Sequence, residues 1–119
     1  MDIFSPCALS HAINSSTIVD LSCKIIAGGA NNQLENEDIG ELLHRLEMLY
    51  APDYVINSGG LISVTDESEH NTYSKNRINK KILNIKNTLS EIFKLSEKRD
   101  KAPSIIADEM AKKIVDKYK

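Results

Sequence analysis

Apolar positions along the chain switch between a strand-like and a helix-like period, and the switches mark the elements. Asp2 to Ser5 reads as a short strand closed by Pro6, which cannot donate to a ladder. Ile13 to Leu21 reads as a short helix: Asn14, Ser15 and Ser16 offer capping oxygens, and Ile18 and Leu21 share a face. Lys24-Ile25-Ile26-Ala27 reads as a second buried strand, bounded by Gly28 and Gly29. Glu35 to Leu49 reads as an amphipathic helix with Ile39, Leu42, Leu43 and Leu46 in one stripe. Leu49-Tyr50 and Tyr54-Val55-Ile56 are both β-like and frame Ala51-Pro52-Asp53 as a turn. Gly59-Gly60 then opens a helix from Leu61 to about Glu67.

From Asn71 the pattern becomes helical throughout. Ile78, Ile82, Ile85, Leu89, Ile92 and Leu95 recur at helical spacing, with Lys75, Arg77, Lys80, Lys81 and Lys86 elsewhere on the surface. Those cations read as a solvated face rather than an anion-binding one. Pro103 interrupts the pattern, and Ile105 to Tyr118 forms a last helix. The order βα-βα-βα followed by helices predicts an α/β protein with a parallel sheet covered by helices. Three short parallel strands make a poor independent fold, because such sheets need both faces covered. With Ile3-Phe4 read as the middle of a buried strand just after Met1, the expectation is a piece of a larger sheet with further chain upstream.

Composition narrows the class without naming a chemistry. At 41% hydrophobic residues the chain can bury a modest core. A net charge of -2 gives no electrostatic reason to invoke nucleic acid or an anionic membrane. No apolar run approaches the roughly 20 residues that span a bilayer, and no secretory signal is visible. Cys7 and Cys23 are too few for a disulfide framework. These features predict a soluble, cytoplasmic protein.

Chemistry concentrates at the strand ends. Gly28-Gly29-Ala30-Asn31-Asn32-Gln33 follows a buried strand, and ligands in α/β sheets sit outside the carboxyl ends of strands. Small residues there let a backbone approach a ligand, and an asparagine amide matches a carboxamide with one donor and one acceptor. An ordinary polar turn accounts for the same residues. Asn57-Ser58-Gly59-Gly60 repeats the pattern, and the first strand ends in Pro6-Cys7-Ala8. Leu61 and Val64, three apart on the next helix, either wall an apolar pocket or pack into the core. Cys7 and His11 are four apart, but no second close pair completes a metal site, and Cys7 has no paired base to make it a nucleophile. Cys7 therefore reads as a small buried or cleft residue. His44 and His70 read as solvated. Neither glycine pair makes a G-x-G-x-x-G turn or a phosphate loop.

Three segments carry a resemblance. Phe4-Ser5-Pro6-Cys7-Ala8-Leu9, Lys24 through Leu34 (KIIAGGANNQL) and Tyr50 through Gly60 (YAPDYVINSGG) resemble the nucleotide domain of the glutamate, leucine, phenylalanine and valine dehydrogenases, and within that family the leucine dehydrogenases. The likeness continues through Lys98-Arg99-Asp100 and Ala107-Asp108-Glu109-Met110-Ala111. It implies a partial Rossmann-like sheet, with βα units over about residues 1–68 and C-terminal helices over about 71–119. It also implies NAD as cofactor and reversible oxidative deamination of an L-amino acid to a 2-oxo acid and ammonia. Ala8, Leu9, Ala30, Asn31, Asn32 and Asn57 are the implied cofactor residues. Asn32, Leu61 and Val64 are the implied substrate residues, and their apolar pair favours a branched aliphatic side chain over a carboxylate. A homo-oligomer is implied for the full-length form.

Two departures from the family pattern stand out: Leu61 is bulkier than the expected valine, and Ser63 replaces an expected asparagine. The family's substrate domain, G-x-G-x-x-G segment, catalytic lysines and catalytic aspartate correspond to chain upstream of everything present. No residue here is assigned a catalytic role, and the isolated chain is expected to be inactive. The alternative is a catalytically silent interaction module, or a gene remnant, pairing with an intact dehydrogenase or a separate N-terminal chain.

Overall fold

The computed structural model describes all 119 residues. Three two-residue strands, β1 (Ile3–Phe4), β2 (Ile25–Ile26) and β3 (Leu49–Tyr50), form a parallel sheet in the order β1-β2-β3. Ile3 pairs with Ile25 and Ile25 with Leu49, while Phe4, Ile26 and Tyr50 form the next row. All three strands therefore end on the same edge. The helices are α1 (Glu37–Arg45), α2 (Asp53–Ile56), α3 (Gly59–His70), α4 (Lys75–Arg99) and α5 (Pro103–Asp116), with one 3-10 turn at Ile18–Asp20.

Local chemistry explains most boundaries. Asn36 caps α1 by accepting from the Ile39 N–H at 3.1 Å, and Glu37 and Asp38 complement the positive end of the helix. The helix stops short of the expected Leu49 because Glu47 turns left-handed, φ 57°, and Leu49 enters the sheet. Ser74 opens α4 by accepting from the Arg77 N–H, and Pro103 occupies the first turn of α5, where its missing N–H costs nothing.

The main core joins sheet and α1: Ile13, Ile18, Cys23, Ile26, Ile39, Leu43 and Tyr50 are buried together. A second, smaller core of Ile92, Ile106 and Ala107 holds α4 to α5, with Val55 and Phe93 beside it. Gly40 lets α1 approach α5 closely, since a side-chain carbon there would come within 2.5 Å of Ser104 Oγ.

Three expectations need correction. Tyr54-Val55-Ile56 is not a strand but the single turn of α2. Asp53 Oδ1 accepts from the Tyr54 N–H at 2.6 Å, and Pro52 O accepts from Val55 and Ile56, so a proline-aspartate start outweighs β propensity. Ile13 to Leu21 is not one helix. Asn14 Oδ1 accepts from the Ser16 and Thr17 N–H groups, diverting the backbone, and Ile13 instead bridges Leu34. Finally, β1 is an edge strand in which Ile3 is exposed and only Phe4 packs, half-buried, against the core, so it is not a fully buried strand.

Candidate functional site at the strand ends

The loops leaving β1 and β2 lie against each other. Pro6 O accepts from the Ala30 N–H at 3.0 Å, and Cys7 Sγ accepts from the Gly29 N–H at 3.5 Å. Gly28 is demanded by this contact: a side-chain carbon there would stand 2.6 Å from Pro6 N and Cδ, and closer still to Pro6 O. Ser5 Oγ lies 3.4 Å from Cys7 Sγ, and this bond, with the Gly29 N–H, lowers the Cys7 thiol below its ordinary pKa. Cys7 is exposed rather than buried.

The third strand end joins them in two steps. Asp53, just past β3, accepts from the Gln33 N–H at 2.8 Å through Oδ2. One turn later Asn57 Nδ2 donates to Asn31 Oδ1 at 2.6 Å. The loop after β2 is thereby fixed on both sides. Gln33 braces it from within: its side chain is fully buried, and Nε2 donates to Gly28 O and Ala30 O, each at 2.8 Å. Asn32 takes a left-handed conformation, φ 50°, which asparagine tolerates better than most residues, and its O accepts from the His11 N–H at 2.7 Å.

These contacts bring together most of the residues singled out in the sequence. Ala8, Leu9, Asn31 and Asn32 are exposed on the two loops, and Asn57 is half-buried beside Asn31. Ala30 is buried, with its backbone engaged at both ends. Leu61 and Val64 are not core residues. They stand 71% and 67% exposed on α3, which starts two residues beyond Asn57 and has no side chain capping its N-terminus. Gly59 and Gly60 face open space, with nothing within 4 Å of where a side chain would begin.

A separate cavity of about 250 Å³ lies behind Asn32, walled by His11, Tyr50, Asp53, Tyr54 and Asp108 among others. Of the residues singled out in the sequence only Asn32 lines it; Asn31, Asn57, Leu61 and Val64 take no part in its walls. Two of its carboxylates, Asp53 and Asp108, are already engaged. Asp108 accepts from the Tyr54 hydroxyl at 2.5 Å, and burial together with that carboxylate pushes the Tyr54 hydroxyl well above its ordinary pKa. No group of three or more histidine, cysteine, aspartate or glutamate side chains lies close enough to hold a metal ion. No helix is long and apolar enough to cross a membrane.

Several polar residues read from the sequence as solvated have partners in the structure: His44 and Arg77 are half-buried, while His70 and Lys81 are paired but remain exposed. His44 Nε2 meets Asp100 Oδ1 at 3.0 Å, and His70 Nδ1 bonds Asp66 O at 2.9 Å. Arg77 and Lys81 turn inward onto Asp66, a fully buried carboxylate that sequence reasoning missed. Its partners stand 11 and 15 residues away on another helix, and only the four-residue spacing to His70 offered a local signal.

Known proteins resemble this chain in sequence and in fold. The family model for glutamate/leucine/phenylalanine/valine dehydrogenase matches residues 1–116. Leucine dehydrogenase of Thermoactinomyces intermedius is 46% identical over 116 residues, 97% of this chain and 31% of that enzyme. L-tryptophan dehydrogenase of Nostoc punctiforme is 49% identical over 100 residues, 83% of this chain and 28% of the enzyme. The crystal structure of L-tryptophan dehydrogenase from Nostoc punctiforme superposes with a TM-score of 0.88 and 42% identity, covering 98% of this chain and 34% of that one. The chain thus spans about a third of the length of the relatives it matches. It belongs to the glutamate/leucine/phenylalanine/valine dehydrogenase family.

Proposed function

We propose that this chain is the later part of the dinucleotide-binding domain of an NAD-dependent amino-acid dehydrogenase acting on branched aliphatic L-amino acids. Residues 1–68 supply βα units on this reading, and residues 71–119 the helices that follow. The observation that carries it is the 2.6 Å hydrogen bond from Asn57 to Asn31, which draws the third strand-end segment onto a loop already docked against the first. On this reading the three strand ends serve one nicotinamide site rather than three unrelated turns.

The residues present fit a nicotinamide. Gly59 and Gly60 have ordinary negative φ and no neighbour where a side chain would project, so nothing within this chain requires glycine at either position. A ligand approaching the backbone beside Asn57 would require it. Ala8 and Leu9 would lie along one side of the ring, and Ala30 and Asn31 along the other at its ribose end. Asn32 would reach the cofactor or the substrate carboxylate, and the amides offer the paired donor and acceptor that a carboxamide needs. When bound, NAD supplies the hydride acceptor for conversion of the amino acid to a 2-oxo acid and ammonia.

Leu61 and Val64 would meet the substrate side chain. Two apolar residues favour leucine, valine or isoleucine, because an unpaired carboxylate against them is costly to desolvate. Relatives named for tryptophan and phenylalanine match as well, so the aliphatic preference rests on these two positions and not on overall identity. The general base and the phosphate-binding turn would come from polypeptide corresponding to the rest of the relatives. A homo-oligomeric full-length form in the cytoplasm is part of the same reading and rests on the family resemblance.

The test is a chimera in which this chain replaces the matching third of Thermoactinomyces intermedius leucine dehydrogenase. Leucine-dependent NADH formation is the expected result, and the 119-residue chain alone should give little or none. A folded chimera that binds NADH without turnover on any aliphatic amino acid contradicts the reading.

A further inference from the structure

Most helices here are held by apolar burial, but α3 is not. Among its residues Ile62 and Ser63 are half-buried, and the one buried side chain is Asp66. That carboxylate is enclosed by cations. Arg77 Nη2 and Nε donate to Oδ2 at 2.8 and 3.0 Å, Lys81 Nζ reaches Oδ1 at 3.1 Å, and His70 Nδ1 lies 3.8 Å from Oδ1. Arg77 and Lys81 both belong to α4. Arg77 is itself tethered, donating to Thr72 O at 2.8 Å in the connection between the two helices. The Arg77 hydrogen bonds, reinforced by Lys81, hold the Asp66 carboxyl below the usual carboxylate range despite the cost of enclosing it.

Where this clamp sits on the helix matters. At 3.6 residues per turn, Asp66 lies roughly 170° around the axis from the midpoint of Leu61 and Val64. Anchoring one face to α4 therefore turns the opposite face outward. We infer that Asp66 is a positioning residue: by locking α3 onto Arg77 and Lys81 it sets the direction in which Leu61 and Val64 are presented, and so governs discrimination among substrate side chains. The substrate half of this inference rests on the proposed function above.

The physical reason lies in directionality. Apolar contact is non-directional and tolerates a helix rolling about its axis, whereas a carboxylate gripped by a guanidinium has a defined plane and angle. With so little apolar burial on α3, loss of the carboxylate leaves Arg77 and Lys81 facing each other. The exposed Lys81–Glu69 pair at 3.5 Å, with half-buried Ile62 and Ser63, is then the remaining hold on the helix. Asp66 touches neither cofactor nor substrate on this reading. Its effect is transmitted through Leu61 and Val64.

Two measurements test it, using Asp66→Asn and the milder Arg77→Lys, which keeps the charge but loses the fork. In the 119-residue chain, amide hydrogen exchange over residues 61–66 should accelerate about tenfold or more in Asp66→Asn, with charge-assisted bonds lost, while Ile26 and Leu43 keep wild-type protection. Arg77→Lys should fall between. In the chimera, Asp66→Asn should raise KM for leucine and narrow the preference for leucine over alanine, with kcat nearly unchanged. Unaltered α3 exchange, or equal acceleration in α3 and the sheet core, overturns the clamp. A fall in kcat at unchanged KM and preference overturns the positioning role. An inactive wild-type chimera instead overturns the functional reading, and with it the substrate half of the inference, whereas the clamp stands or falls on exchange alone.

Discussion

Residues 3–50 close around seven buried side chains, with Ile13, Ile26 and Leu43 wholly removed from solvent, whereas the twelve residues of α3 bury one side chain, and it is a carboxylate. The first region behaves as a scaffold: its strands are only two residues long, yet the core beneath them fixes where each strand-end loop emerges. The second is an arm that carries Leu61 and Val64 into the open and is oriented by ions on α4. Packed apolar surface stabilises without specifying angle, and a paired buried charge specifies angle with little net stabilisation.

The largest effect should come from the scaffold. Leu43→Ala removes a fully buried side chain from the main core and should cost about 2–5 kcal/mol in denaturant titration. A loss below 1 kcal/mol, as for an exposed site, would erase the contrast between scaffold and arm.

Next comes the joint between the loops. Gly28→Ala forces a side chain into Pro6 and should destabilise by about 1–3 kcal/mol, with amide shifts at Gly29 and Ala30. Normal stability would mean the loops are not in contact.

Acid should separate the ion-held parts from the apolar core. Arg99 and Lys101 hold the Glu109 carboxyl down from 4.5 to about 2, so its folded value lies below its unfolded one. The stabilisation it gives is present at neutral pH and is lost as pH falls from 4.5 through 2. Asp66 is shifted in the same direction. Melting curves of Glu109→Gln should therefore depend less on pH in that range than the wild type, and an unchanged dependence contradicts the assignment. The smallest effect belongs to Lys119→Ala, which breaks an exposed pair with Asp116 and should shift stability by no more than about 0.5 kcal/mol.

Much of the scaffold was legible in the sequence because it rests on local periodicity. Ile39, Leu42 and Leu43 of the predicted stripe, the long α4 pattern and the glycine-amide loop read correctly as elements, whereas Leu46, the fourth of that stripe, lies past the end of α1 and is exposed. Tyr54-Val55-Ile56 did not, because β-branched and aromatic residues suggest a strand while Pro52 and Asp53 start a helical turn. Asn14 likewise diverted the backbone at a segment that reads as helical. Asn31 and Asn57 were each singled out by their place at a strand end, and they meet, although Asn57 arrives on a helical turn and not on a strand. Asp66 stayed invisible, since a carboxylate and two cations on separate helices look like solvated surface until the chain brings them together.

The most direct measurement is a titration of the isotope-labelled chain with NADH, read by amide and asparagine side-chain NMR. The account predicts that Gly29, Asn31 and Asn57 shift together on one saturation curve, with Leu61 and Val64 following at the rim. Shifts confined to other surfaces, or separate curves for Asn31 and Asn57, would contradict a single nicotinamide crevice at the strand ends.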